Sequence, residues 1–395
     1  MYALIGQNAL QNFMWELQMM MGNNDYRPME IEDRDFDDFM AAKDFSGLNI
    51  LHPYKKAIFS FCSDISETSR KTNCIDTVTK GRNGALHGHN SAYRGFIYAV
   101  QRQGFVFKDK RVLVLGDGAL GRTIQRAILD MEAVSATIVS RKGEVNYGSL
   151  RRYKYIDAII NATPVGMYPG NGKSLIRLSD FPRCSIVIDA VYNPLNSQLI
   201  QQAQRIGIPY MNGIPILVGQ AAYSSYLFTG KMADGNSLEE IISKFNLRLS
   251  NLILIGNPSA QRSRFAAELA AAIGRELIDA DLLAERGIGE ENKPLYQRNW
   301  KNFAQSLDRA AFEAGSATGC VLAASPAFML RGKSRNYLLQ NGRPQYLSAK
   351  SEKSSAGMIN PLNFRSLAKK LCIYDKEGEN IEVTQRQARE IFEAL

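Results

Sequence analysis

The feature that most constrains the fold of this chain is the run Arg111-Val-Leu-Val-Leu115, which leads straight into Gly116-Asp117-Gly118-Ala119-Leu120-Gly121 and then a helical stretch over 123–131. A short, wholly apolar run suits a strand buried on both faces, as in a parallel sheet. Glycines after it let the backbone approach a pyrophosphate, and the helix that follows supplies unpaired N–H groups and a positive dipole end. Apolar runs at 136–139, 156–160 and 186–188 each end in polar or glycine-containing loops. An open parallel sheet binds ligands at such carboxyl ends. Where an NAD site would set a carboxylate on the ribose, the chain has Ser140-Arg141-Lys142. Two cations there favour a 2′-phosphate, hence NADP, against the plain alternative of a solvated basic loop.

At 395 residues the chain is too long for one ordinary core and predicts two or three domains. The expected class is α/β. A substrate domain covers 1–105, with a returning helix at about 222–247, and a Rossmann-like NADP domain with a parallel sheet covers 106–221. A P-loop kinase-like α/β domain covers 251–395, opening on the strand Leu252-Ile-Leu-Ile255. The first domain starts with the strand-like Tyr2 to Gly6 and a Met-rich helix through Trp15, Leu17 and Met21, whose stripe reads as core.

Several function classes are excluded by composition. No apolar run approaches the roughly 20 residues of a membrane helix, and no charged-then-apolar leader opens the chain, so a cytoplasmic protein without membrane contact is expected. The five cysteines lie far apart with no Cys-x-x-Cys pair, and the histidines His52, His87 and His89 lack a third ligand nearby, so neither a disulfide framework nor a metal site is expected. The net charge of +9 is scattered among acids rather than gathered into a basic stripe, which suits small anionic ligands and not nucleic acid.

Four further segments bring in a specific likeness. Asn161-Ala-Thr163-Pro-Val-Gly-Met167, Asp189-Ala-Val-Tyr-Asn-Pro194, Leu217-Val-Gly-Gln220-Ala221 and Phe228-Thr-Gly230 occur in the order and spacing of shikimate dehydrogenases, and Phe45 to Lys55 resembles that family's substrate segment. The resemblance covers about residues 2 to 247. It implies a two-domain α/β protein with a cleft, in which NADP exchanges a hydride with C3 of shikimate or dehydroshikimate, and in which Asn161 and Thr163 lie near the nucleotide. It also implies a catalytic Lys and Asp pair. The Lys matches Lys55, but Gly88-His-Asn90-Ser-Ala92-Tyr-Arg-Gly95 carries alanine where the family has its Asp.

Alanine can neither accept a proton nor orient an ammonium, and losing one member of such a pair costs about 10²- to 10⁴-fold in rate. Other pocket positions differ as well: the family's two carboxylate-holding serines align with Asn12 and Met14, its threonine with Leu51, and its asparagine with Asp76. Lys55 and Gln220 match, and with Asp76 and Asn90 they form the candidate substrate site. Lys55, next to Lys56, could also be a solvated helix-start lysine, and Gln220 a local cap. Asp76 is expected at the surface, where acids usually sit, unless it stands near Lys55 and replaces the missing acid. A site stripped of polar partners is a poor match to shikimate, so the expectation is an NADP(H) oxidoreductase with an altered substrate, a small molecule such as a hydroxy acid, or a non-catalytic NADP(H)-binding regulator. Oligomeric state is not specified.

The segment Leu252 to Gly256-Asn-Pro-Ser259-Ala-Gln261-Arg262-Ser263, followed by Leu277-Ile-Asp279-Ala-Asp281, resembles shikimate kinases. A working phosphate loop needs glycines and a lysine. Here Ser259 and Gln261 replace glycines, Arg262 replaces the lysine, and Ala323-Ala-Ser325 stands at a later glycine triplet. Ser263, Asp279 and Asp281 remain as candidate magnesium or substrate contacts. The fork of Arg is not a conservative swap for Lys, so the expectation is a folded remnant without kinase activity.

Overall fold

Three sheets organise the computed structural model, which describes residues 1–256, 260–286, 300–349 and 371–374. The first has the strand order Tyr26–Met29, Tyr2–Ile5, Gly47–Ile50, Thr77–Lys80, Leu86–His89, Asp64–Ile65. Thr77–Lys80 runs antiparallel to both neighbours and the other pairings are parallel. Its core packs Ile5, Phe36, Leu48, Ile50, Ile75 and Val78.

The second sheet is wholly parallel, in the order Tyr210–Met211, Ile186–Asp189, Ala158–Asn161, Arg111–Leu115, Ser135–Val139. The expected central strand is there, buried at every position after Arg111. The chain leaves it to one side for Ser135–Val139 and to the other for Ala158–Asn161. A crevice therefore opens at the carboxyl end of Leu115, where strand order reverses. The helix begins at Ala119 rather than at the expected 123, because Gly118, in extended geometry, caps it directly.

Two helices return to the first sheet's side. Ile214–Thr229 ends on Gly230 in the left-handed region, φ 72°, and Gly235–Leu249 follows. The first of these lies unusually close to Ser91–Gln103: a Cβ on Gly95 would collide with the backbone of Ile216 and Gln220. Glycine at 95 is what lets Gln220 sit against the other helix's first turns.

The third sheet is also parallel, in the order Leu277–Asp279, Val321–Ala324, Asn251–Ile255, Gly342–Ala349, Leu371–Tyr374. Backbone contacts divide the chain into two units. One holds Met1–Val165, Ser174–Tyr192 and Gln202–Phe245; the other holds Asn246–Leu395 together with Gly166–Lys173 and Asn193–Gln201. The second unit is thus not a simple C-terminal segment. Its two short insertions are tied in by buried amides: Asn171 Nδ2 donates to Ser316 Oγ (3.1 Å), Leu195 N to Asn341 Oδ1 (2.9 Å), and Gln201 Nε2 to the Asn336 carbonyl (2.9 Å). Among the described residues no helix is long and apolar enough to cross a membrane, and no cluster of three metal-ligating side chains occurs.

Candidate functional site

The turn after Leu115 depends on its glycines. Gly116 has φ +110°, which L side chains rarely adopt, and a Cβ there would lie 2.7 Å from Thr163 Cγ2; a Cβ on Gly121 would strike the Gly116 carbonyl oxygen. Gly118, by contrast, faces open space and caps the helix without a side chain, so the helix N-terminus is bare toward the crevice. Ala119 is the first helical residue. At the end of the next strand, Ser140 is buried and its Oγ has no hydrogen-bond partner among the described residues. Arg141 and Lys142 are exposed, and neither forms an ion pair among the described residues. Two free cations beside an unused buried hydroxyl fit a phosphate ester.

Asn161 and Thr163 act one step back from the crevice. Asn161 Nδ2 donates to Asp189 Oδ1 (2.9 Å) and to the Val165 carbonyl (3.2 Å), while its Oδ1 accepts from Thr163 N (3.1 Å) and Oγ1 (2.7 Å). They fix the loop between strand ends. Tyr147 was not singled out in the sequence, yet it stands beside the crevice: burial raises its phenol above the usual value, Asp117 adds to this and Arg141 opposes it. No local motif marks it.

On the first sheet, the surface expectation for Asp76 is corrected: it is 1% exposed. Its burial is sustained by donors. Oδ1 accepts from Ser91 N (2.7 Å), Ser91 Oγ (2.7 Å) and Thr77 Oγ1 (2.9 Å), and Oδ2 accepts from Ala92 N (2.9 Å) and Gln220 Nε2 (3.4 Å). A carboxylate on the first N–H groups of Ser91–Gln103 suits both their missing partners and the helix dipole. Ser91 and Thr77 were missed by the sequence reading because their role arises only from the strand register.

Asn90 turns out to be structural. It is the N-cap of the same helix, accepting from Tyr93 N (3.1 Å), and its Nδ2 donates to Thr72 Oγ1 and Thr123 Oγ1, each at 2.9 Å. Every amide group is already engaged. Gln220 is not a mere local cap, since its Nε2 points at Asp76. Lys55 is half-buried whereas Lys56 is exposed, so the two lysines are not equivalent. Ala92 is buried and brings a methyl group to the first helical turn. Asn12 caps its own loop: its Oδ1 accepts from Met14 N at 2.9 Å.

In the other unit, Gly256 and Arg262 flank the segment expected to hold a phosphate. Ser259 lies outside the described residues, as does the side chain of Gln261. Arg262 is 4% exposed, its Nη1 donates to the Gly256 carbonyl (3.1 Å), and its Nη2 lies 2.7 Å from Asp281 Oδ2. That contact is an ion pair by distance, but its angles are not those of a hydrogen bond. Burial raises the Asp281 carboxyl above the usual range, with Ser325 and Arg262 pulling it back. Ser263 Oγ donates to Asp279 Oδ2 (2.9 Å), and Asp279 Oδ1 caps the next helix through Asp281 N (3.0 Å). The Arg262 charge is engaged by the protein's own carbonyl and carboxylate.

The family model for shikimate kinase matches residues 258–388. A shikimate dehydrogenase (NADP(+)) from Syntrophomonas wolfei is 29% identical over 264 residues, covering 60% of this chain and 90% of the relative. One from Methanococcus maripaludis is 29% identical over 221 residues, covering 51% of this chain and 78% of the relative. Among solved structures, a chorismate mutase/shikimate 5-dehydrogenase fusion protein from Clostridium acetobutylicum superposes with a TM-score of 0.58 at 27% identity, over 62% of this chain and 96% of that one. A Thermus thermophilus shikimate 5-dehydrogenase in complex with NADP(H) and shikimate shares the fold, with a TM-score of 0.56 at 22% identity, over 62% of this chain and 98% of that one. The N-terminal part of this chain is homologous to shikimate dehydrogenases, and a shikimate-kinase-like domain is fused to it.

Proposed function

We propose that the chain is an NADP(H)-dependent oxidoreductase of the shikimate dehydrogenase type whose substrate site has been rebuilt. The observation that carries this is the glycine turn: Gly116 and Gly121 interlock, Gly118 is open to the crevice, and the bare helix start faces it. NADP, when bound, supplies the hydride acceptor or donor. Gly116, Gly118 and Ala119 would meet its pyrophosphate, while Ser140, Arg141 and Lys142 would meet the 2′-phosphate. Lys55 is the proton-handling group, holding the alcohol oxygen and taking its proton as the carbonyl forms.

Equilibrium titration with NADPH and NADH, followed by the change in nicotinamide fluorescence, tests the reading. NADPH should bind at least tenfold more tightly. Equal affinities, or no binding of either, would overturn it.

The methyl group at Ala92 supports a second reading, an NADP(H)-binding protein without turnover that serves as a regulator or assembly partner. Saturable NADPH binding, with no rise in absorbance at 340 nm when NADP+ is mixed with shikimate and related hydroxy acids, would favour it. For the C-terminal unit, the ion pair of Arg262 with Asp281 supports a folded domain without kinase activity.

A further inference from the structure

A polar seam joins the glycine turn of the second sheet to the end of a helix that belongs to the first. The helix Glu67–Thr72 falls in sequence between the strands Asp64–Ile65 and Thr77–Lys80, and the carbonyl of its last residue is one of those a helix leaves without an internal partner. Arg122 Nε donates to that Thr72 carbonyl at 3.3 Å, and Arg122 Nη1 donates to the Asp117 carbonyl at 2.6 Å. Beside them the Asn90 amide bridges Thr72 Oγ1 and Thr123 Oγ1, each at 2.9 Å, and the Thr123 hydroxyl donates in turn to the Ala119 carbonyl at 2.9 Å. Thr72, Asn90 and Thr123 are all buried. The start of the helix Ala119–Asp130 is thus held from outside its own sheet.

The bond to Asp117 decides where the next peptide group points. A peptide is planar and trans, so its N–H is directed opposite to its carbonyl. With the Asp117 carbonyl turned toward Arg122, the Gly118 N–H is turned away from it, and it donates to no group among the described residues. The space around Gly118 is open. Both bonds of the Arg122 fork go to carbonyls. A planar guanidinium holds two acceptors in one fixed geometry, which the single ammonium of lysine does not.

We propose that Arg122 is a positioning residue for the nucleotide: through the Asp117 carbonyl it aims the Gly118 N–H at the pyrophosphate, and through the Thr72 carbonyl it fixes that aim against the first sheet. The guanidinium acts through the peptide group between 117 and 118 and does not itself touch the ligand. Without this brace the peptide is free to turn, since glycine at 118 resists rotation less than any other residue. Arginine is needed here for its shape as well as its charge. The inference rests on the oxidoreductase reading above, and its test separates the two.

NADPH affinity is measured by nicotinamide fluorescence on the full chain in three forms, unsubstituted, Arg122→Ala and Arg122→Lys, with urea unfolding to establish that each is folded. Binding should be about tenfold weaker in Arg122→Ala, the loss expected of one charge-assisted hydrogen bond, and at least threefold weaker in Arg122→Lys. Methylguanidinium at millimolar concentration should restore affinity in Arg122→Ala at least threefold, because it refills the planar fork, whereas methylammonium at the same concentration should not. A general loosening of the fold would respond to neither cation. Weakening of less than threefold in either variant overturns the assignment, and so does recovery of less than threefold with methylguanidinium or equal recovery with the two cations. If Arg122→Ala does not fold, Arg122→Lys decides by the same threefold limit. An unsubstituted chain that binds no NADPH overturns the nucleotide reading and this inference with it; variants that match an NADPH-binding parent overturn this inference alone.

Discussion

Asn171 Nδ2 donates to Gln340 Oε1 at 2.6 Å, and both side chains are buried. The pair is imperfect: Asn171 Oδ1 and Gln340 Nε2 have no hydrogen-bond partner among the described residues. Leaving a buried polar group unpaired costs about 1–3 kcal/mol, whereas an exchange for an apolar group of the same shape that leaves no partner stranded can be nearly neutral. Asn171→Ala strands Gln340 Oε1 and should destabilise the chain by about 2 kcal/mol by that reckoning. Gln340→Met leaves Asn171 Nδ2 its bond to Ser316 and should cost under about 1 kcal/mol. Urea unfolding of both variants checks the order.

The glycine turn predicts opposite outcomes for two similar substitutions. Gly121→Ala drives a methyl group into the Gly116 carbonyl and should destabilise by more than about 2 kcal/mol, as overpacked sites do. Gly118 has φ −66° and open space around it. Gly118→Ala should therefore keep or raise stability by about 0.4–1 kcal/mol, yet weaken NADPH binding, because the methyl group occupies the approach of the pyrophosphate. Thermal unfolding and NADPH titration on the same samples separate the effects.

Arg141 and Lys142 are exposed, so replacing both with alanine should leave stability within about 0.5 kcal/mol. NADPH affinity should fall about tenfold or more, equivalent to about 1.4 kcal/mol, while NADH affinity stays within twofold. Raising the salt concentration should narrow the preference in the parent chain, since exposed charges are screened. Titrations of both nucleotides at low and high salt provide the comparison.

Much of the fold was legible because periodicity and glycine position act locally. The strand 111–115, its turn and its helix follow from apolar run, glycine spacing and the absence of a breaker, and the parallel sheet follows from repeating that unit. Asp76 shows where local reading stops. Nothing in Cys74-Ile-Asp76-Thr77 says that the acid will be buried; that depends on donors from Ser91 and Ala92, which strand pairing brings from another element. The same holds for Asn90, whose cap and bridges to Thr72 and Thr123 become visible only once the helix start is placed. Membership of Gly166–Lys173 and Asn193–Gln201 in the second unit had no sequence signal either, since a loop's partners are set by tertiary contact.

His89 predicts a pH dependence. Burial, with the nearby charge of His87 adding to it, lowers its imidazole below the usual value, and Asp64 and Asp76 oppose the shift. The folded state therefore binds the proton less readily than the unfolded one. The contribution to stability is fully present above the unfolded value of about 6.5, and is lost as pH falls from there through the folded value. His89→Gln should flatten unfolding free energy against pH below about 6.5, as measured by urea titrations at falling pH.

The closure of Arg262 onto Gly256 and Asp281 limits how this part of the molecule can change. A lysine at 262 would keep the positive charge, and Asp281 would still be there to hold it. Removing Asp281 alone would leave the Arg262 charge uncompensated in the interior, a state that costs about 3–5 kcal/mol. The two positions are tied to each other, so the charge at 262 can be freed only by a change that also answers for the acid at 281.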